Sequence, residues 1–95
     1  MIDTGGTIVK AAEALFEQGA AKVIATATHG VLSGPAVDRL KNSRVSEVVL
    51  TNTLPISEEK QFDKLTTLSI APMLARAIRE VFDDGSVTSL FNGNA

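Results

Sequence analysis

Strand-like and helix-like segments alternate along the whole chain, and this alternation constrains the fold more than any other feature. Three short segments are rich in β-branched and aliphatic residues and predict strands; they lie at 23–28, 47–52 and 65–70. Apolar residues recur at helical spacing in three further segments, at 7–18, 35–42 and 72–82. Strands that alternate with helices form layered α/β structures with a parallel sheet and right-handed crossovers. The sequence therefore predicts an α/β fold with three roughly parallel strands.

The apolar residues of these segments are the expected core. We expect the strand at 23–28 to be buried on both faces, as parallel strands often are. The apolar stripes of the three helices are expected to cover the sheet. They are Ile8, Ala12, Leu15 and Phe16 in the first helix, Ala36, Val37 and Leu40 in the second, and Leu74, Ala77, Ile78 and Val81 in the third. Gly19 is expected to end the first helix, and Pro35 to begin the second. We expect Ser33 to cap that second helix and the polar loop with Glu58, Glu59 and Lys60 to be solvated.

Composition narrows the classes of function. The chain has 95 residues with 44% apolar and 21% charged residues and a net charge of −2, as in ordinary globular chains. It lacks cysteine, so disulfides, thiolate nucleophiles and zinc–cysteine sites are excluded. A weakly acidic chain gives no support to binding of nucleic acid or of anionic membranes. No apolar run is long enough to span a bilayer and the start does not resemble a secretory signal, so we expect a cytoplasmic protein without membrane contact.

The loop Asp3-Thr4-Gly5-Gly6-Thr7 leads directly into the first helix. Glycines allow positive φ and close approach of a ligand to the backbone, and the N–H groups at a helix start attract phosphate. A carboxylate repels phosphate, so Asp3 suits sugar hydroxyls or a magnesium ion. A sugar phosphate would use both properties. Taken as a bare pattern, however, the loop is more typical of a tight turn in which Asp or Thr caps the helix.

The same loop resembles the second half of the motif that binds phosphoribosyl pyrophosphate (PRPP) in type I phosphoribosyltransferases and in the ribose-phosphate pyrophosphokinases (PRPP synthetases) that share their fold. Further segments match the carboxy-terminal domain of PRPP synthetases in the same order; they are 27–34, 47–49, 51–55, 68–75 and 86–91. Together they favour the synthetase family over the transferases, whose resemblance is limited to the opening loop.

The resemblance implies a partial three-layer phosphoribosyltransferase-like domain, of which residues 1–95 are the carboxy-terminal part. It implies transfer of the β,γ-diphosphoryl group of ATP to ribose 5-phosphate with Mg²⁺, giving PRPP and AMP, in a homo-oligomer that is a hexamer. Asp3 would face the ribose, and the 5-phosphate would be cradled by Thr4, Gly5, Gly6 and Thr7. The acidic residues of the family that bind magnesium precede the position of Met1. We therefore expect the upstream strand, the amino-terminal domain and the catalytic Lys and Arg to lie outside this chain, which by itself should be inactive.

The resemblance also implies a regulatory role for three residues near the end of the chain. Positions that match Ser86, Thr88 and Phe91 line a site for phosphate and ADP at subunit interfaces of the family; from composition alone they are a polar tail. His29, the only histidine, is expected to be a loop residue that forms a local hydrogen bond, with acid–base catalysis as the alternative. Two other functions stay open for the chain as a whole. One is a phosphoribosyltransferase, and the other is a non-catalytic regulatory homologue that assembles with a catalytic partner.

Overall fold

The computed structural model describes residues 1–91, with the side chain of Phe91 left out. The helices are α1 (Gly6–Glu17), α2 (Ala36–Lys41) and α3 (Ala71–Phe82), and the strands are β1 (Ile24–Ala27), β2 (Glu47–Thr51) and β3 (Leu65–Leu68). Short 3₁₀ helices span Glu58–Lys60 and Val87–Phe91. The strands form one parallel sheet in the order β1-β2-β3, so the predicted parallel α/β fold is confirmed. Within the described residues, no helix is long and apolar enough to cross a membrane.

One face of the sheet carries the core. In the parallel register Ala25 is opposite Val48, and Val48 is opposite Leu65, so these side chains point to the same face. That face packs against α1 and α2 through Ala12 and Leu40. The buried residues are Ile2, Ala12, Ala25, Leu32, Ala36, Leu40, Val45, Val48 and Leu50. The sequence prediction that α1 and α2 turn apolar stripes toward the sheet is confirmed, although Leu15 is 50% exposed.

The opposite face of the sheet is open. Ile24 is 47% exposed and Leu68 is 54% exposed. Thr26, two residues after Ile24 on the same strand, is also exposed to solvent. The expectation that the segment 23–28 is buried on both faces is therefore wrong within residues 1–91. A β-branched, uncharged strand shows that both of its faces tolerate burial, but it does not reveal whether a covering layer is present.

Helix α3 also leaves its apolar stripe uncovered. Leu74, Ile78 and Val81 are 54%, 69% and 67% exposed, so their assignment to the core is wrong for the described chain. The helix packs mainly on the 3₁₀ helix Val87–Phe91. The radius of gyration is 16.4 Å, against about 12 Å for a compact chain of 95 residues. An amphipathic pattern identifies which side of a helix is apolar, and the partner of that side can lie outside the residues described.

The helix ends follow local chemistry, with one exception. Gly19 has φ +102° and its N–H donates to the Phe16 carbonyl, so it ends α1 as predicted. Lys64 Nζ donates to the Ser43 carbonyl at 2.7 Å just after α2, where a cation is favoured. Ser33 does not cap α2, because Pro35 occupies the cap position and no side chain bonds there. The Ser33 carbonyl instead accepts from the Ala36 N–H.

Candidate ribose-phosphate site

The opening loop enters α1 through a left-handed glycine. Gly5 is the N-cap residue with φ +80° and ψ −7°, and its carbonyl accepts the first helical hydrogen bond, from the Val9 N–H at 3.0 Å. No side chain caps the helix start, so the reading of Asp3 or Thr4 as a simple helix cap is wrong. Gly6 is the first helical residue and does not have positive φ. Of the two glycines, therefore, only Gly5 has a conformation that requires glycine. The first N–H groups of α1 form no hydrogen bonds with capping side chains.

Backbone hydrogen bonds fasten this loop to the segment that follows β1. The Ile2 N–H donates to the His29 carbonyl, and the Val31 N–H donates to the Ile2 carbonyl, each at 2.9 Å. Ile2 thereby forms a one-residue parallel bridge with Gly30. One step further along, the Ser33 N–H donates to the Asp3 carbonyl at 2.9 Å. The loop therefore lies at the carboxyl end of the parallel sheet, where ligands of α/β proteins bind.

Four of the five predicted binding residues, all except Gly6, line one small cleft. It has a volume of about 180 Å³ and is lined by Met1, Ile2, Asp3, Thr4, Gly5, Thr7 and Ile8. Asp3, Thr4 and Thr7 are exposed to solvent, so their carboxylate and hydroxyl groups are accessible. Typical small-molecule pockets measure about 300–1,000 Å³, and the cleft is therefore large enough for part of such a ligand rather than for all of it. Its chemistry combines backbone and hydroxyl donors with one carboxylate.

Arg39 of α2 reaches this loop, which the sequence did not indicate. Its Nη1 donates to the Thr4 carbonyl at 3.2 Å. A Cβ atom on Gly6 would lie 3.1 Å from the same nitrogen. Sequence reasoning placed no Lys or Arg at the loop, because the two residues are 35 positions apart and only the packing of α2 beside α1 brings them together. The one feature of the sequence that could have pointed to this contact is the position of Arg39, one turn after Pro35 at the start of α2.

Hydroxyl groups gather at the carboxyl ends of β1 and β2. The Thr28 carbonyl accepts from the hydroxyls of both Thr51 and Thr53. His29 Nδ1 lies 2.7 Å from Thr53 Oγ1, so its partner comes from the loop after the next strand rather than from its own loop. His29 has no carboxylate partner in residues 1–91. The contacts of Thr51 and Thr53 with Thr28 were not predicted from the sequence, because they join residues 23 and 25 positions apart.

Lys60 is more than part of a solvated loop. It lies in the 3₁₀ helix Glu58–Lys60, is half-buried, and its Nζ donates to the Val31 carbonyl at 3.2 Å. The bond ties the loop after β2 to the segment after β1. Glu58 and Glu59 are exposed, as expected.

Acidic groups do not converge within the described residues. No three His, Asp or Glu side chains of residues 1–91 lie together where they would hold a metal ion. Mg²⁺ is commonly held by one or two carboxylates together with the phosphates of a substrate. Asp3 is the one carboxylate that lines the cleft, so a magnesium ion there would need further ligands from a substrate or from other groups.

The residues with a regulatory reading lie at the other end of the chain. Ser86 Oγ and Thr88 Oγ1 are 2.6 Å apart and exposed, so two hydroxyls form a pair beside the 3₁₀ helix Val87–Phe91. The side chain of Phe91 lies outside the described residues.

The chain is similar to proteins of one family. Residues 1–92 match the family described as phosphoribosyl synthetase-associated domain. The ribose-phosphate pyrophosphokinase of Streptomyces coelicolor is 73% identical over 92 residues, which cover 97% of this chain and 28% of that protein. The corresponding protein of Mycobacterium leprae is 59% identical over all 95 residues, or 29% of its length.

A crystal structure of phosphoribosylpyrophosphate synthetase from Mycobacterium smegmatis superimposes with a TM-score of 0.85 and 60% identity, over 90% of this chain and 28% of that one. The chain thus spans little more than a quarter of the relatives it matches. It belongs to the phosphoribosyl synthetase-associated domain family.

Proposed function

We propose that this chain supplies the ribose 5-phosphate half-site of a ribose-phosphate pyrophosphokinase and is the carboxy-terminal part of its phosphoribosyltransferase-like domain. The observation that carries the proposal is the uncapped start of α1 behind the left-handed Gly5. Backbone N–H groups at such a position bind phosphate well, since their partial positive charge adds to that of the helix dipole. The neighbouring Asp3 adds the acceptor that sugar hydroxyls require.

In this proposal the chain positions the acceptor. The N–H groups of Gly6 and Thr7 and the hydroxyls of Thr4 and Thr7 hold the 5-phosphate, while the Asp3 carboxylate accepts hydrogen bonds from the ribose. Fixing the sugar phosphate at both ends presents its anomeric hydroxyl to the diphosphoryl group of ATP, and such orientation supplies much of the rate in phosphoryl-type transfer. A divalent cation, by preference Mg²⁺, neutralises phosphate charge when bound, and its ligands lie mostly in other parts of the parent protein.

Two alternative functions are weighed against specific residues. A phosphoribosyltransferase would share the opening loop. However, the resemblance of this chain to phosphoribosyltransferases does not extend to the segments 27–34 and 86–91. A non-catalytic regulatory homologue would share the whole chain, and would differ in the acidic residues and the basic catalytic loop of the preceding sequence. Identity of 73% to a ribose-phosphate pyrophosphokinase favours this family over the phosphoribosyltransferases, and the preceding sequence would separate the catalytic protein from a regulatory homologue.

We propose further that the parent is a cytoplasmic homo-oligomer, a hexamer as the resemblance implies, with a site for phosphate or ADP at Ser86, Thr88 and Phe91. The paired hydroxyls of Ser86 and Thr88 support this assignment, because hydroxyl donors suit phosphate oxygens. A partner subunit would complete the site, since one exposed pair of hydroxyls is not enough to hold an anion against water.

A chimera tests whether these residues form a working sugar-phosphate half-site. In the chimera, residues 1–95 of this chain replace the equivalent segment of the full-length Streptomyces coelicolor relative. Formation of AMP from ATP is then measured with ribose 5-phosphate and a magnesium salt. We expect the chimera to be active and the isolated chain to be inactive, because the chain offers only the sugar-phosphate half of the site. An inactive but folded chimera would contradict the half-site reading, because these residues would then fail to support the reaction beside an intact preceding sequence. An active isolated chain would contradict the half-site reading.

A further inference from the structure

We propose that Arg39 is a positioning residue of the sugar-phosphate site, which sets the orientation of the peptide group between Thr4 and Gly5. The inference rests on the proposed function, since it assigns a role at the same loop. Its basis is the hydrogen bond that Arg39 Nη1 donates to the Thr4 carbonyl at 3.2 Å.

The orientation of this one peptide decides which way a donor points. In a trans peptide the N–H and the C=O point in opposite directions. When Arg39 holds the Thr4 carbonyl on the side of α2, the Gly5 N–H is turned to the other side. Thr4 and Gly5 both line the cleft, so the fixed peptide adds a donor next to the helix start. A flipped peptide would present a carbonyl oxygen to the phosphate instead, and that contact is repulsive.

The loop needs such a restraint because its sequence permits the flip. Glycine occupies positive and negative φ with similar ease, and Gly5 is bonded to this very peptide. Its φ of +80° is therefore one of several accessible states of the isolated loop. Arg39 makes no ion pair with a carboxylate in residues 1–91, so its contact with the loop does not compete with a salt bridge there.

Gly6 gives the guanidinium the space to approach. A Cβ atom at this position would lie 3.1 Å from Arg39 Nη1, which is closer than an ordinary contact. The second glycine of the loop is therefore explained by the approach of Arg39, and not by a left-handed conformation. This gives the inference an independent prediction, since a methyl group at Gly6 should act through Arg39.

The test uses the full-length chimera with Arg39→Met, Arg39→Lys and Gly6→Ala, and with Arg79→Met as the control. Arg79 is an exposed cation of α3 that pairs with Asp83 and does not touch the loop. We expect Arg39→Met to raise the KM for ribose 5-phosphate about tenfold, as for the loss of one charge-assisted hydrogen bond. The KM for ATP and the melting temperature should stay unchanged, and Arg39→Lys should recover most of the loss. The control should leave every value unchanged.

A double-mutant cycle separates positioning from independent effects. If Arg39 and Gly6 act through one contact, the combined variant Gly6→Ala/Arg39→Met should be no worse than Arg39→Met alone. Full additivity would overturn the inference, and so would a KM for ribose 5-phosphate that Arg39→Met leaves within twofold of the unsubstituted chimera. If the unsubstituted chimera binds no ribose 5-phosphate, the proposed function itself is refuted; if it binds and the Arg39 variants are silent, only the present inference is refuted.

Discussion

The substitution Gly5→Ala tests whether the left-handed turn before α1 is needed for ligand binding or only for stability. In Gly5→Ala the new side chain must adopt φ near +80°, and the left-handed region costs an L-residue about 1–2 kcal/mol. The added Cβ would lie 3.6 Å from Ala36 Cα, the Ala36 carbonyl oxygen and Leu40 Cγ. These are ordinary van der Waals distances, so steric overlap adds little to the strain.

Gly19→Ala is the matched control. Gly19 has φ +102°, and a Cβ there meets no atom within 4 Å. It therefore carries a similar backbone strain at the other end of α1, far along the helix from the loop. Both variants should lose about 1–2 kcal/mol of local stability. Only Gly5→Ala should also lose affinity for ribose 5-phosphate.

Hydrogen exchange followed by mass spectrometry measures the strain in the full-length chimera. Amides of β2, whose Val48 and Leu50 are fully buried, should exchange about 5–30 times faster in both variants. Calorimetric titration should then show weaker ribose 5-phosphate binding for Gly5→Ala and unchanged binding for Gly19→Ala. Equal affinity in the two variants would refute the reasoning, because the left-handed turn would then be a structural feature only.

Three further predictions concern other parts of the chain. Gly30→Ala should destabilise the fold by about 1–3 kcal/mol, because the new Cβ would overlap the buried Leu50 side chain. Urea denaturation should show this loss of stability, and a second substitution, Leu50→Val, should restore part of it. Ser86→Ala with Thr88→Val should abolish activation of the chimera by inorganic phosphate and leave the KM for ribose 5-phosphate unchanged; retained activation would remove the hydroxyl pair from the regulatory site. The isolated chain should self-associate through the exposed stripe of α3, and Ile78→Glu should reduce this in sedimentation velocity, whereas a monomer without the substitution would contradict the prediction.

Local patterns predicted the elements of this fold well. The three strands and three helices lie within about two residues of their predicted bounds, a normal margin for helix and strand ends. Gly19 ends α1 in a left-handed conformation, as the composition of the turn indicated. These features depend on residues close together in sequence, which is why periodicity and turn chemistry were sufficient.

Features that depend on distant residues were not predictable in the same way. The stripe of α3 has the same pattern as a buried helix, but Ile78 is 69% exposed because nothing within residues 1–91 covers it. Arg39 reaches the Thr4 carbonyl only through the packing of α2 beside α1. Ser33 fits the preferences of a helix cap, but α2 begins three residues later at Ala36, with Pro35 at the cap position. In each case the missing information was which segment lies beside which.

Titration of ribose 5-phosphate into the chimera tests the central claim most directly, with Asp3→Ala and Gly6→Val as the variants. Asp3→Ala removes the carboxylate of the cleft, and Gly6→Val places a branched side chain at the start of α1 beside Arg39. We predict that each substitution weakens ribose 5-phosphate binding by about tenfold or more, as expected for lost charge-assisted hydrogen bonds, while ATP binding is retained. Unchanged affinity for ribose 5-phosphate in both variants would show that residues 3–7 do not form its binding site.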